Sequence, residues 1–188
     1  RMANWIVAQL GEHYDVLGVR GAFLRDAGSS LRGVRDAFEQ LLQLQGAPVR
    51  RVSEWVARQA SVWGLRDANE WEAVVRFLRP SAGTPDASER RSPEALFETL
   101  FRILVVGSER RPRAMHRDDV HWGGIESARF LEFVAAELVS RPARVTLIAT
   151  VLTGEVGTQE FEASMRHLSR YDGDTAVRHS LEPLSAPD

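Results

Sequence analysis

Apolar residues recur at helical spacing through the first half of the chain. After a Gly28-Ser29-Ser30 start signal they return every three or four residues, which is the period of an α-helix with one buried face. The same period predicts a helix at the start of the chain and two more helices after the one that follows Gly28-Ser29-Ser30. The apolar positions of these helices are Met2, Trp5, Ile6 and Leu10; Leu31, Val34, Phe38, Leu41 and Leu42; Val52, Trp55, Val56 and Trp63; and Trp71, Val74, Val75 and Leu78.

Shorter apolar runs between the helical segments predict strands. Tyr14–Phe23 carries Val16, Leu17 and Val19, and Arg144–Thr150 is the clearest strand because it is apolar and β-branched. Further strands are expected at Arg113–His121 and Val177–Leu184, and further helices from Ser92-Pro93-Glu94, over Glu126–Leu138 and over Phe161–Leu168. Strands separated by helices imply crossover connections, so we expect an α/β fold with a mainly parallel sheet flanked by helices.

Composition restricts the class of protein. The 188 residues are 44% hydrophobic and 27% charged, which suits a single globular domain over residues 1–188, with a flexible loop at about 80–92. The net charge of -2 gives no reason to expect nucleic-acid or membrane binding. There is no cysteine and no apolar run of about 20 residues, so a cytoplasmic location is expected.

The segment Asp118-Asp119-Val120-His121-Trp122 carries the candidate chemistry. Its two carboxylates follow a predicted strand and lead into a Gly123-Gly124 turn and a helix. Nucleotide-binding α/β proteins place an Mg²⁺ ligand and a water activator in this way, at the carboxyl end of a strand. The chain nevertheless lacks a GxxxxGK[ST] phosphate loop, since all 24 of its Lys and Arg positions are arginine.

The order of these segments resembles the nucleotide-binding domain of AAA-type/STAND P-loop ATPases, found in large bacterial regulators such as serine/threonine protein kinases with an ATPase region. The DDxHW segment is the most specific part of the resemblance. The stretches that carry it are Arg1–Leu10 leading into Asp15–Gly21, Arg111-Pro112 followed by Asp118–Trp122, and Val145–Thr150 followed by Leu181–Ser185.

The resemblance implies a P-loop NTPase-like, three-layer α/β/α domain that lacks its first strand and phosphate loop. Asp118 would hold Mg²⁺, and Asp119 would orient or activate the attacking water. His121 and Trp122 match the motif, but their roles stay open. ATP and Mg²⁺ would bind to the intact parent protein and switch neighbouring domains of the same polypeptide. The chain itself contributes no Walker A residue and is not expected to be active alone.

Three departures from the family pattern bear on hydrolysis. The strand before the acidic pair reads Arg113-Ala114-Met115-His116-Arg117 instead of a run of aliphatic residues, and burying three basic residues is costly unless they are partnered. Gly123-Gly124 replaces a carboxylate of the usual motif. Val151-Leu152 stand where a nucleotide-sensing arginine is common.

Other interpretations remain open at this stage. Adjacent aspartates before a Gly-Gly turn can simply form a turn and a helix cap. His116, Asp118, Asp119 and His121 form an HxDDxH set of metal-ligand types, which would suit a metal-dependent hydrolase, although strand alternation places the two histidines on opposite faces. A third possibility is a degenerate ATPase domain that serves as an interaction module or scaffold.

The truncated-ATPase interpretation makes a direct prediction about the parent gene. We expect a strand followed by GxxxxGK[ST] within a few residues before Arg1, because the opening helix begins without a cap and the chain has no lysine. Sequencing the upstream reading frame checks this. An initiator methionine there without the phosphate loop would contradict the assignment.

Overall fold

The computed structural model describes residues 9, 15–19, 31–80, 93–117, 120 and 124–150. Within these residues the chain forms three strands and five helices. The strands are β1 (Asp15–Val19), β2 (Arg113–Arg117) and β3 (Val145–Ala149), and the helices are α1 (Arg32–Leu41), α2 (Val49–Gln59), α3 (Ala68–Leu78), α4 (Pro93–Arg110) and α5 (Gly124–Ser140).

The three strands form a parallel sheet with β2 in the centre. Their ends are flush, since Val19, Arg117 and Ala149 lie in one row of the register. The connection from β1 to β2 contains α1 to α4, and α5 connects β2 to β3. The chain is therefore mixed helix and strand with parallel pairing, as the spacing of strands and helices predicts.

Most predicted elements within the described residues are confirmed, with two differences in length. The strand predicted over Arg113–His121 ends at Arg117, level with its neighbours. The helix predicted to include Trp63 ends at Gln59, because Gly64 adopts a positive φ of 68° that turns the chain. Trp63 is still buried and lies 5.5 Å from Trp55 between ring centres.

Several predictions fall outside the described residues. These are the opening helix apart from Gln9, the loop at about 80–92 apart from Pro80, the helix at Phe161–Leu168 and the strand at Val177–Leu184.

An aromatic cluster joins four of the five described helices, α1, α3, α4 and α5. Phe38 of α1 meets Phe77 of α3 and Phe130 of α5 edge-on, each with ring centres 6.1 Å apart. Phe97 of α4 meets Phe130 at 5.3 Å and Phe133 at 5.8 Å. Edge-on pairs of this kind add about 0.5–1.5 kcal/mol each to the burial of the rings. Helices distant in sequence are thus packed through a shared set of rings.

Arg79, directly after α3, fixes the turn between α1 and α2. Its guanidinium donates to the carbonyl oxygens of Leu44 at 2.6 Å and Ala47 at 2.8 Å, and it forms an ion pair with Glu39 of α1. Only 15% of its side chain is exposed. One cation here thus donates to several acceptors of the turn and ties α3 to the end of α1.

Arg113, the first residue of β2, packs against the backbone of α4. Its Nη1 donates to the carbonyl oxygens of Ile103 at 2.8 Å and Leu104 at 3.2 Å. A Cβ atom at Gly107 would overlap the guanidinium. The glycine therefore provides the space in which a charged side chain of the central strand lies against a helix.

This close approach reverses the usual effect of a glycine substitution. In a helix interior Gly→Ala normally stabilises by about 0.5–1 kcal/mol. We expect Gly107→Ala to destabilise the protein by about 1–3 kcal/mol, because the new methyl group would displace the guanidinium of Arg113 from its hydrogen bonds to the carbonyl oxygens of Ile103 and Leu104. Urea unfolding measures the change. In an Arg113→Ala background the same substitution should be neutral or stabilising, and a stabilising effect in both backgrounds would contradict the packing described.

Candidate functional site

The carboxyl ends of the three strands form the edge at which the candidate site lies. The backbone N–H of Thr150 donates to the carbonyl oxygen of Arg117 at 2.9 Å, and the N–H of Val120 donates to the carbonyl oxygen of Thr150 at 3.0 Å. The end of β3 is thus bonded to the chain on both sides of the acidic pair. Ligands of open α/β sheets bind at this edge.

The four predicted motif residues Asp118, Asp119, His121 and Trp122 lie outside the described residues. Arg117 before them and Val120 among them are described. Arg117 is the last residue of the central strand, and Val120 is buried in the core. The structure therefore gives the position of Arg117, with which β2 ends, and of Val120, which lies in the core.

Arg117 is the most heavily buried charged residue among the described ones, with a relative exposure of 1%. Its guanidinium lies against Gly33, in the first turn of α1, where a Cβ atom would overlap it. Gly33 is itself buried. The contact brings the first turn of α1 next to the end of β2 and therefore next to the edge of the sheet.

At the guanidinium of Arg117, desolvation has a larger effect on the pKa than the attraction of Asp36. Burial lowers its pKa to about 10, and the attraction of Asp36, one turn along α1 from Gly33, opposes this without cancelling it. Because the pKa is lower in the folded protein than in the unfolded chain, the native state binds this proton less tightly. The energetic cost is fully present at neutral pH and lessens only as the pH rises above about 10.

His116 lies on the opposite face of β2 from Arg113, Met115 and Arg117, as strand alternation requires. It is 2% exposed and sits opposite Ile148 of β3 in the register. No group of three or more potential metal-ligating side chains occurs among the residues that the structure describes. The other members of the HxDDxH set are not among them, so the hydrolase interpretation stays a prediction.

The residues that accommodate the basic strand were not identified from the sequence. Gly33, Asp36 and Gly107 act on the arginines of β2 from distant helices. The available signal was a glycine inside a predicted helix, at Gly33 and again at Gly107, which often marks a close approach of another group. Nothing in the helical pattern shows which group approaches.

A concave feature lies at the start of α3, away from the acidic segment in sequence. It is an open groove of about 410 Å³ lined by Gly64, Arg66, Asp67, Glu70 and Arg102. Asp67 and Glu70 form a capping box, and Glu70 also pairs with Arg102 at 2.8 Å. These polar groups complete the helix start, which accounts for their arrangement.

Membrane-spanning segments are absent from the described part of the chain, where no helix combines the length and apolarity needed to cross a bilayer.

The comparisons with known proteins return no match: no family model, no curated protein and no solved structure matches the chain. The motif residues and the geometry of the sheet edge are therefore the features that indicate a function.

The buried charge leads to a prediction about stability. We expect Arg117→Met to raise the free energy of unfolding by about 1–3 kcal/mol at pH 7, because an apolar side chain of similar length avoids the desolvation cost. Arg110→Met, the same change at the exposed last residue of α4, should alter the free energy of unfolding by no more than about 0.5 kcal/mol. Urea unfolding of both variants is the measurement. A loss of stability in Arg117→Met would mean that attraction outweighs desolvation at this site.

Proposed function

We propose that the chain is part of an ATP-binding switch domain of a larger bacterial regulatory protein, with the P-loop NTPase-like three-layer fold that its motifs suggest. The observation that carries the proposal is the position of the acidic pair. In the sequence, Asp118-Asp119 directly follows Arg117, with which the central parallel strand ends, and α/β proteins bind ligands at the carboxyl edge of such strands.

The donor chemistry of the pair suits the proposed cofactor. Carboxylate oxygens are the protein ligands that Mg²⁺ prefers, and Mg²⁺ commonly binds through one or two of them together with substrate phosphates. Asp118 would hold the ion and Asp119 would orient the attacking water. Bound Mg²⁺ neutralises charge on the transferred phosphoryl group. Phosphate recognition itself would come from a loop outside these 188 residues.

A chain of contacts leads from this edge into the helical core, which supports a role as a switch. Arg117 touches Gly33 of α1, and Phe38 of the same helix packs on Phe77 of α3 and Phe130 of α5. A nucleotide-dependent change at the edge would therefore act first on α1. Conversion of local phosphate contacts into movement of packed elements is the usual basis of nucleotide switches.

A non-catalytic interaction module is the second candidate function. The observation in its favour is the central strand itself, on which His116 and Arg117 are both buried. ATP hydrolysis does not require a buried cation at the position that precedes the acidic pair in the sequence. In this alternative the domain keeps its fold and serves as a scaffold for neighbouring domains.

Substitutions in the restored parent protein separate these functions. Asp119→Asn should abolish ATP turnover while leaving ATP binding largely intact, because it removes water activation and spares the phosphate contacts. Asp118→Asn should instead weaken the Mg²⁺ dependence. Steady-state turnover and calorimetric titration provide the two readouts. Absence of turnover in the unchanged parent would favour the scaffold.

The same titration on the 188-residue chain tests where the nucleotide site lies. The chain should bind ATP·Mg²⁺ with a dissociation constant on the order of millimolar or weaker, since the phosphate cradle is missing. Micromolar affinity would show that the site has been misplaced.

A further inference from the structure

We propose that one face of α2 binds an acidic peptide segment of a partner protein. The face consists of Arg51, Trp55, Arg58 and Val62, and we call it the α2 stripe. The proposal goes beyond the proposed function and does not depend on it, because the α2 stripe shares no residue with the motif after β2.

The spacing of its residues along the helix creates the α2 stripe. Intervals of four, three and four residues place them within about 60° of one another, at about 100° per residue. α2 ends at Gln59, but the N–H of Trp63 still donates to the carbonyl oxygen of Gln59 at 3.1 Å, so Val62 continues the helical course. The α2 stripe lies outside the face on which Val52 and Val56 are buried.

The two arginines of the α2 stripe are exposed and have charges to offer. Neither Arg51 nor Arg58 uses its side chain in an ion pair or hydrogen bond within the described part of the chain. Arg50 differs, since it pairs with Glu54 at 2.8 Å. Residues 48–66 contain four arginines and one glutamate, a net charge of +3, whereas the whole chain has a net charge of -2. This region of the surface therefore attracts anions, although the protein as a whole does not.

Apolar surface lies between these charges. Val62 is 49% exposed, which is unusual for a valine of the described residues. Trp55 is partly buried, and its ring centre lies 5.5 Å from that of Trp63, so the indole is held in place. A partner that covered the α2 stripe would meet a rigid aromatic edge and an exposed aliphatic side chain, both of which favour burial.

The chemistry of the α2 stripe favours an acidic peptide. Guanidinium groups bind carboxylates through paired hydrogen bonds. Seven residues of helix span about 10.5 Å, so a partner helix with carboxylates seven residues apart and an apolar side chain between them matches Arg51 and Arg58. Single-stranded nucleic acids need exposed aromatic faces for stacking, whereas Trp55 packs against Trp63. A bilayer surface needs a broad apolar face, whereas charged and apolar residues alternate here.

The test measures binding of a fluorescein-labelled peptide to the 188-residue chain by fluorescence anisotropy. The peptide is a helix of about 18 residues that carries two glutamates seven residues apart and a leucine between them. Arg51→Gln and Arg58→Gln should each weaken binding about two- to fivefold, and the double variant about four- to 25-fold, because exposed ion pairs are individually weak. Val62→Ser should weaken binding about two- to fivefold through lost apolar contact.

The chain offers a matched control for each substitution. Arg50→Gln removes a charge from α2 outside the stripe, and Arg110→Gln removes one from the exposed end of α4. Val139→Ser makes the valine substitution at a position of α5 that is 45% exposed. At about 0.15 M salt each control should change the affinity less than twofold.

Weaker binding in the stripe variants with unchanged controls supports the proposal. Equal weakening in Arg50→Gln or Arg110→Gln would show general charge attraction and overturn it, as would failure of the unchanged chain to bind the peptide. Labelled single-stranded DNA and vesicles of phosphatidylserine and phosphatidylcholine are titrated in parallel. If either binds more tightly than the peptide and loses that binding in Arg51→Gln/Arg58→Gln, the partner is a nucleic acid or a membrane and the proposal is wrong.

Discussion

A central strand of a parallel sheet is covered on both faces, and every charge on it must be accommodated by the elements that cover it. In this protein that constraint falls on β2, where Arg113 and Arg117 point toward the helices and His116 toward the other face. The solution is the same at both arginines. A helix presents a glycine, and the guanidinium occupies the volume that a side chain would fill. The close approach of α1 and α4 to β2 thus depends on glycine, which has no side chain, at positions 33 and 107.

The sequence predicts the type and order of most elements, because their apolar period is strong and their burial follows it. The Phe38 and Val34 positions of α1 and the Val74 and Leu78 positions of α3 are all buried as expected. Ends of elements are less well predicted. Trp63 continues the apolar period of α2, yet Gly64 turns the chain, and the indole is buried from the turn instead of from the helix.

The candidate site is predictable only in part, for a different reason. Adjacent carboxylates after a strand are a local signal that a reader of the sequence can find. The pairing of Arg117 with Gly33 and Asp36 spans more than 80 residues and depends on how α1 crosses the sheet. The sequence predicts that the basic residues of β2 need partners, but only the packing of α1 and α4 against the strand identifies those of Arg117 and Arg113. The electrostatic character of the edge is therefore a tertiary property.

Arginines from other elements hold α1 at both of its ends. Arg117 from β2 lies in the space next to Gly33 in the first turn of α1. Arg79, directly after α3, pairs with Glu39 near the end of α1 and donates to the carbonyl oxygen of Leu44 in the turn that follows α1. Between them Arg35 of α1 donates to the carbonyl oxygen of Phe77 at 2.6 Å. Because both ends of α1 contact arginines of other elements, a displacement of its first turn would have to be absorbed within the helix or by the contacts of Arg79 at the α1–α2 turn.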